Sequence, residues 1–420
     1  MSVAVVILAA GRGTRMKSDL PKALHPMCGK PMLNYLIESA RTLKPKRVIV
    51  VAGYKIELVR EAVGRGVEVV EQKKQLGSGH AVSQAERRLA GFSGSVVVLY
   101  CDTPLVSAGT LKTLLENRAR TSADCTLLSV NLADPTGYGR VKRAGSGGVE
   151  KIIEENDASA DEKSIREINV GSYVFDAKKL FGALKRVQKN PKKKEYYLTD
   201  VVEILAEEGR VEGVVTEDAE EVRGVNTLRD LAALESVLQK KILDRWMDEG
   251  VRILDPGTTR VDADVRIGRG TRIQPNTVIE EGVVIGEDCV IGPFARIRGG
   301  SVVGDRTLVG NFVEVVRSRI GRGTQIKHLS YIGDAEVGDA VNVGAGTITA
   351  NYDGKEKHRT IIKDRAQIGS GTVLIAPVTV GKGAKTGAGA VVPKHRHVPD
   401  GAVVAGVPAR ALFMGKKRKK

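Results

Sequence analysis

The chain has 420 residues, 42% hydrophobic and 28% charged, which is too long for one ordinary core and predicts two globular domains, not a disordered chain. Its net charge of +16 suits nucleic acid or small anions, and no basic stretch interleaves with aromatics, so a nucleic-acid surface is not expected. The one run of three lysines is Lys192-Lys193-Lys194, and the chain closes on the basic tail Lys416-Lys417-Arg418-Lys419-Lys420. Cys28, Cys101, Cys125 and Cys289 are far apart without C-x-x-C spacing, which predicts reduced thiols in a cytoplasmic protein. No apolar stretch approaches the roughly 20 residues needed to span a bilayer, so no membrane partner is expected.

Residues 3–10 are an apolar run with no basic segment ahead of them, which reads as a first buried strand and not as a leader. It runs into Leu8-Ala9-Ala10-Gly11-Arg12-Gly13-Thr14-Arg15-Met16. Backbone amides freed by glycines at a strand-to-loop junction, flanked by Arg12 and Arg15, can cradle phosphate. Lys22 follows behind Pro21, which fixes the approach of a cation. Gln72 and the loop Gln75-Leu76-Gly77-Ser78-Gly79-His80 come next. The apolar strand at 96–99 then ends at Tyr100-Cys101-Asp102-Thr103-Pro104. A carboxylate at the carboxyl end of a strand is where open α/β sheets bind ligands, although Asp102 also suits a turn before Pro104. Thr136-Gly137-Tyr138-Gly139-Arg140, Glu154, Asn169 and Asn226 complete the set; Glu154 also reads as a solvated charge and Asn226 as a helix cap. Alternating strands and helices predict a doubly wound α/β domain over residues 1–226.

Leu228, Leu231, Leu234, Leu238, Ile242 and Trp246 keep helical spacing and predict a linker helix at 227–250, a packing stripe about 30 Å long for ~20 residues. Beyond it, within 261–392, aliphatics stand six apart at Val261, Ile267, Ile273, Ile279, Ile285, Ile291, Ile297, Val303, Val309 and Val315. The step recurs through Ile320, Ile326 and Ile332, through Val337 and Val343, and from Ile362 to Ile368, Leu374 and Val380. Six fits neither a helix nor an alternating strand. It fits a triangular coil with one inward aliphatic per side and turns stacked about 4.8 Å apart, so residues 251–420 are expected to form a parallel β-helix with a short basic tail. The step shortens to five after Val315 and after Ile332, and a polar segment at 350–357 is looped out. His328 lies between the two short steps, and a histidine near neutral pKa suits the deprotonation of an attacking amine. His358, His80, His395 and His397 carry no comparable context.

The N-terminal motifs resemble those of nucleoside-triphosphate sugar-1-phosphate transferases, and the repeat resembles hexapeptide acyltransferases. Together, over nearly all 420 residues, they resemble the bacterial bifunctional N-acetylglucosamine-1-phosphate uridyltransferase/glucosamine-1-phosphate acetyltransferase family. The resemblance implies a left-handed β-helix, a homotrimer, and acetyl-CoA sites between coils of different subunits. It implies acetylation of glucosamine 1-phosphate, then uridylyl transfer from UTP to N-acetylglucosamine 1-phosphate with Mg2+. By residue, it implies that Leu8, Ala9, Ala10, Gly11, Gly13, Arg15, Lys22 and Tyr100 hold the nucleotide and phosphates, and that Gln72, Gly77 and Ser78 read uracil. Gly139, Glu154 and Asn169 would hold the sugar, and Asp102 and Asn226 the metal. In the second domain it implies His328 as base. Arg298, Tyr331, Asn342 and Lys357 would bind the amino sugar phosphate, and Ala345, Asn351, Tyr352, Ser370 and Ala388 acetyl-CoA. Three departures stand out: Cys101 replaces a glycine, Val316 replaces a phosphate-binding lysine beside Arg317, and Arg410 is only a candidate for the family's tail arginine. These leave room for another sugar phosphate, nucleotide or acyl acceptor. The same two-domain plan also occurs in non-catalytic subunits of translation-factor exchange complexes, but a scaffold has no chemical need for Asp102, Lys22 and His328.

Overall fold

The computed structural model describes residues 2–145 and 147–413; the basic tail at 416–420 lies outside them. Two compact units divide the chain, Met1–Glu235 and Ser236–Lys420. In the first, the described residues hold a sheet of nine strands: β1 (Val3–Ala9), β2 (Arg47–Ala52), β3 (Glu68–Glu71), β4 (Ser95–Tyr100), β5 (Cys125–Asn131), β6 (Arg140–Arg143), β7 (Val149–Ile153), β8 (Glu167–Asp176) and β9 (Val211–Thr216). The order is β9-β5-β8-β4-β1-β2-β3, with β6 joined to β8 and β7 to β6. Strands β1 to β4 run parallel, and β8 runs antiparallel between β4 and β5.

Strand β1 is apolar throughout because both of its faces are covered. Val3, Val5 and Ile7 enter one core, with Leu33, Leu36 and Leu111, while Ala4 and Val6 enter the other, with Leu180, Val201 and Leu205. The strand order turns back at β1 and β4, so their carboxyl ends open a crevice between Ala10 and Cys101. The expected doubly wound architecture is present.

The helix Leu228–Asp248 starts on a reciprocal cap: Asp230 N donates to Thr227 Oγ1 (3.2 Å), and Asp230 Oδ2 accepts from Thr227 N (2.8 Å).

The second unit is a triangular prism of short parallel strands. Three sheets of ten, eight and eight strands, counted among the described residues, begin at Arg252–Ile253, Arg260–Val261 and Arg266–Ile267. Partners lie 18 residues apart, as in Val261↔Ile279 and Ile279↔Ile297. Every aliphatic of the six-residue series is buried, and the residue before it faces out, as with Arg260, Arg266 and Arg272. The coil runs further than the aliphatic series, from Ile253 to Val404, and threonine holds the inward positions Thr349 and Thr386. Thr349 Oγ1 accepts from Gly333 N (2.7 Å) and donates to Gly333 O (3.1 Å), so its burial leaves no unmet hydroxyl.

Both five-residue steps fall at the corner between the second and third sheets, and so does the looped-out segment, which separates Ile348–Ala350 from Thr360–Ile362. Arg317 (φ 46°) and Asp334 (φ 47°) turn the two shortened corners, one above the other.

Candidate functional sites

Two cavities meet at the carboxyl ends of β1 and β4. The first, about 280 Å3, is lined by Ala10, Gly11, Lys22, Gln72, Gly77, Ser78, Tyr100, Cys101 and Asp102. The second, about 520 Å3, shares Tyr100 and Asp102 and adds Arg15, Gly139, Glu154, Asn169 and Asn226. Most of the residues singled out in the first 226 positions therefore border one continuous pair of pockets.

Gly13 sits at φ 67°, and a Cβ there would lie 2.6 Å from Lys22 Cβ, so only glycine lets the phosphate loop pass the lysine. Lys22 Nζ donates to Asp102 Oδ2 and to Asn226 Oδ1, each at 2.9 Å, and Arg15 reaches the same Asn226 oxygen at 2.7 Å. Asn226 is not the helix cap, since Thr227 fills that role, and its side chain is free for the site. The backbone bond from Val225 N to Asp102 O (2.8 Å) holds the two segments side by side.

The Asp102 and Asn226 oxygens thus converge on a single point now occupied by the Lys22 ammonium. A hard, incomplete oxygen set of one carboxylate and one amide fits Mg2+, which keeps several waters and takes phosphate oxygens. Among the described residues no cluster of three or more His, Cys, Asp or Glu side chains offers a rival metal site.

Gln72 is 3% exposed, and its Nε2 donates to Gly77 O at 3.0 Å. Gly77 itself is at φ 100°, and a Cβ on it would come 2.5 Å from Tyr196 O. In the second cavity, burial pushes the Glu154 carboxyl up, partly offset by a hydrogen bond from Thr199 Oγ1 (3.0 Å). Asn169 Nδ2 donates to Tyr173 Oη (2.7 Å), and Tyr173 lies edge-on to Tyr100 with centroids 6.3 Å apart. Burial, then the Asp102 charge, push the Cys101 thiol up to about 12, so it lines the pocket as a neutral group. Gln75 and Tyr138, from loops named in the sequence, also line these cavities. Thr199 lines the second and was not singled out, its partner Glu154 lying far from it in sequence.

In the prism, His328 ends a strand paired with Leu308–Asn311, with Asn311↔His328 in register. Its Nδ1 lies 2.8 Å from Asn311 Oδ1. With that carbonyl as acceptor the neutral ring carries its proton on Nδ1, and Nε2 is left to take one. Gly310 permits the approach, because a Cβ there would land on the Lys327 carbonyl. Asn311 was not singled out; only its place one coil below His328 marks it.

Arg317 grips Asp334 with two bonds of 2.8 Å, and Asn351 donates to the same carboxylate. The Arg317 guanidinium, against the opposing effect of burial, holds Asp334 below the usual carboxylate range, with Asn351 and Lys357 adding to the effect. Val316 is buried and brings no charge. Arg298 bonds Glu314 (3.2 Å), which is in register with Tyr331. Asn342 is exposed on the first sheet, and Tyr352 and Lys357 bridge across the looped-out hairpin. Ala345, Ser370 and Ala388 stack at one corner, tied by Gly371 N to Ala345 O and Gly389 N to Ser370 O, both 2.7 Å. Arg410 is exposed on the last strand, opposite Ala405. One chain therefore spreads the residues that the resemblance assigned to acceptor and acyl donor over different edges of the prism.

Residues 5–195 match the MobA-like NTP transferase domain, and 264–299, 282–317 and 359–394 match the bacterial transferase hexapeptide of six repeats. Bifunctional protein GlmU of Shouchella clausii is 44% identical, over 98% of this chain and 96% of that one. The chain belongs to the GlmU family. The GlmU proteins of Geobacillus thermodenitrificans (44% identical, 98% and 95% covered) and Pelotomaculum thermopropionicum (46%, 90% and 90%) match across both units. As a GlmU-family member it is a bifunctional enzyme, with a nucleotidyltransferase unit followed by a left-handed β-helix of the hexapeptide acyltransferase type. Among the described residues no helix is long and apolar enough to cross a membrane.

Proposed function

We propose that the β-helix transfers acetyl from acetyl-CoA to glucosamine 1-phosphate, and that the first unit then joins the product to UTP, releasing pyrophosphate. The observation that carries the uridylyl half is the convergence of Lys22, Arg15, Asp102 and Asn226 where the two pockets meet. Arg15 and Lys22 neutralise phosphate charge while the sugar phosphate approaches the α-phosphorus in line. Gly139, Glu154 and Asn169 orient the sugar, and the Gly11–Gly13 loop presents amides to the triphosphate. Asp102 and Asn226 would hold Mg2+, which supplies charge neutralisation on the phosphates.

For the acetyl half, His328 Nε2 takes the proton of the amine as it attacks the thioester, and Asn311 keeps the ring in the right tautomer. Arg298 and Tyr331 line the acceptor side together with Asn342 and Lys357. Arg317 stands beside the uncharged Val316, held by Asp334. Ala345, Ser370 and Ala388, with Asn351, Tyr352 and Arg410, form the acetyl-CoA surface. The chain works as a homotrimer. Supporting this, the acceptor set is split between prism edges, and Phe294, Phe312 and Leu329 form an apolar column at 50%, 54% and 61% exposure beside His328. Four buried cysteines, none in a disulfide, suit a cytoplasmic enzyme.

The test is two separate steady-state assays with a panel of sugar phosphates and nucleotides. Acetyl-CoA should be consumed with glucosamine 1-phosphate, and UTP with N-acetylglucosamine 1-phosphate. A different acceptor in the first assay would overturn the acetyl half alone.

A further inference from the structure

We propose that His80 is a positioning residue for base selection: acting through Gln72, it makes the nucleotide pocket accept uracil and reject cytosine. The inference rests on the reading of Gln72, Gly77 and Ser78 as the uracil-binding set.

The contacts of Gln72 account for both of its amide protons. Gln72 Nε2 lies 3.0 Å from Gly77 O, which can only accept, so the amide nitrogen is the atom on that side. The same nitrogen lies 2.9 Å from His80 Nδ1. An amide nitrogen only donates, so Nδ1 must be unprotonated and the ring proton must sit on Nε2. Burial lowers the His80 pKa and keeps the ring neutral near pH 7, which preserves that acceptor.

With both amide protons committed, the group Gln72 has left for a ligand is its carbonyl Oε1. Uracil carries a hydrogen on N3 and satisfies an acceptor there. Cytosine carries a lone pair on N3 and meets Oε1 with another lone pair. Gln72 could suit cytosine only by turning its amide over. That turn would set Oε1 against Gly77 O and His80 Nδ1, two acceptors facing an acceptor in a nearly dry position. Gly77 O is one lock on the amide and His80 is the second. Histidine itself is absent from the pocket lining, so it touches the base only through Gln72. On its far side, Gln84 Nε2 lies 3.3 Å from the ring Nε2 but donates its two protons to His80 O (3.0 Å) and Ser83 Oγ (3.2 Å), so it does not call on Nε2 as an acceptor; the ring is half-buried in the helix Ser78–Ser83.

The experiment measures kcat/KM for UTP and for CTP, each with N-acetylglucosamine 1-phosphate. The proteins are wild type, Gln72→Leu, His80→Leu, His80→Ala and His80→Asn. Removing the acceptor in His80→Leu or His80→Ala should lower the UTP-to-CTP ratio about tenfold, the worth of one neutral buried hydrogen bond. In His80→Asn the Oδ1 atom can stand in for Nδ1, and the ratio should return to within about threefold of wild type. Acetyl transfer and the KM for the sugar phosphate, read on the same preparations, should not move. The inference is overturned if both acceptor-less variants keep the wild-type ratio while Gln72→Leu loses it; the uracil reading then survives without His80. It is also overturned if His80→Asn is as unselective as His80→Leu. A wild type with no preference for UTP overturns the uracil reading and the inference together.

Discussion

Replacing Asn311 by leucine deletes the carbonyl that fixes the His328 tautomer while leaving the ladder intact. The backbone bond from Leu329 N to Asn311 O (3.0 Å) and the register of Leu308–Asn311 with Gln325–His328 do not involve the amide. The lost contact is a 2.8 Å hydrogen bond to an exposed ring, worth about 0.5–1.5 kcal/mol net, or roughly two- to twelvefold in rate if spent on orienting the base. Asn311→Leu should therefore lower kcat for acetyl transfer about tenfold and leave the acetyl-CoA KM near wild type. His328→Ala removes the base itself and should cost about a hundred- to ten-thousandfold. The assay follows free thiol released from acetyl-CoA, with uridylyl transfer measured on the same samples. An unchanged acetyl kcat in Asn311→Leu, or equal loss of both activities, would refute the assigned tautomer role.

Asp102→Ala should abolish uridylyl transfer and spare acetyl transfer; parallel loss of both would show that the two units are not chemically independent. Lys22→Met should bind Mn2+ more tightly than wild type without nucleotide, read by electron paramagnetic resonance, because the ammonium no longer occupies the point between Asp102 and Asn226; weaker binding would exclude that arrangement. Burial, followed by the Glu203, Glu154 and Asp157 charges, raises Asp200 to about 6, above its unfolded value. The neutral form is thus favoured on folding: its contribution is fully present below about pH 4 and is lost as pH rises through about 6. At pH 7 Asp200→Asn should be more stable by about 1–2 kcal/mol, after discount for partial exposure, and the gain should vanish at pH 4; a pH-independent difference in melting would contradict this. Ile332→Ala, at a fully buried inward position, should cost about 2–5 kcal/mol by denaturant titration; a loss below 1 kcal/mol would mean the coil refills the space.

The period of the β-helix was legible because burial and spacing coincide: each inward position is one residue in six, whatever the tertiary context. The nucleotide crevice was legible for a related reason, since strand ends and glycine loops announce themselves locally. Pairing across coils was not. Asn311 reaches His328 only because a short corner changes the coil from 18 residues to 17, and a reading of composition at single positions cannot show that. His80 looked inert, having no partner near it in sequence with obvious chemistry, and Gln72 becomes its partner only when the chain turns through Gly77. Thr349 was invisible to an aliphatic count, yet its hydroxyl meets backbone atoms that a valine would leave unpaired. Asn226 was open between cap and ligand, and the structure gives the cap to Thr227.

Two one-residue deletions and one insertion all fall at the same edge of the prism, between the second and third sheets. The other two edges keep their measure throughout the same tiers. Length changes confined to one edge leave the stacked ladders on all three faces unbroken, since each tier still meets its neighbours strand for strand. That edge therefore behaves as an editable margin. Its residues can be lengthened, shortened or exchanged, as Val316 beside Arg317 already is, without renegotiating the interior. New acceptor chemistry in such a molecule should arise there first.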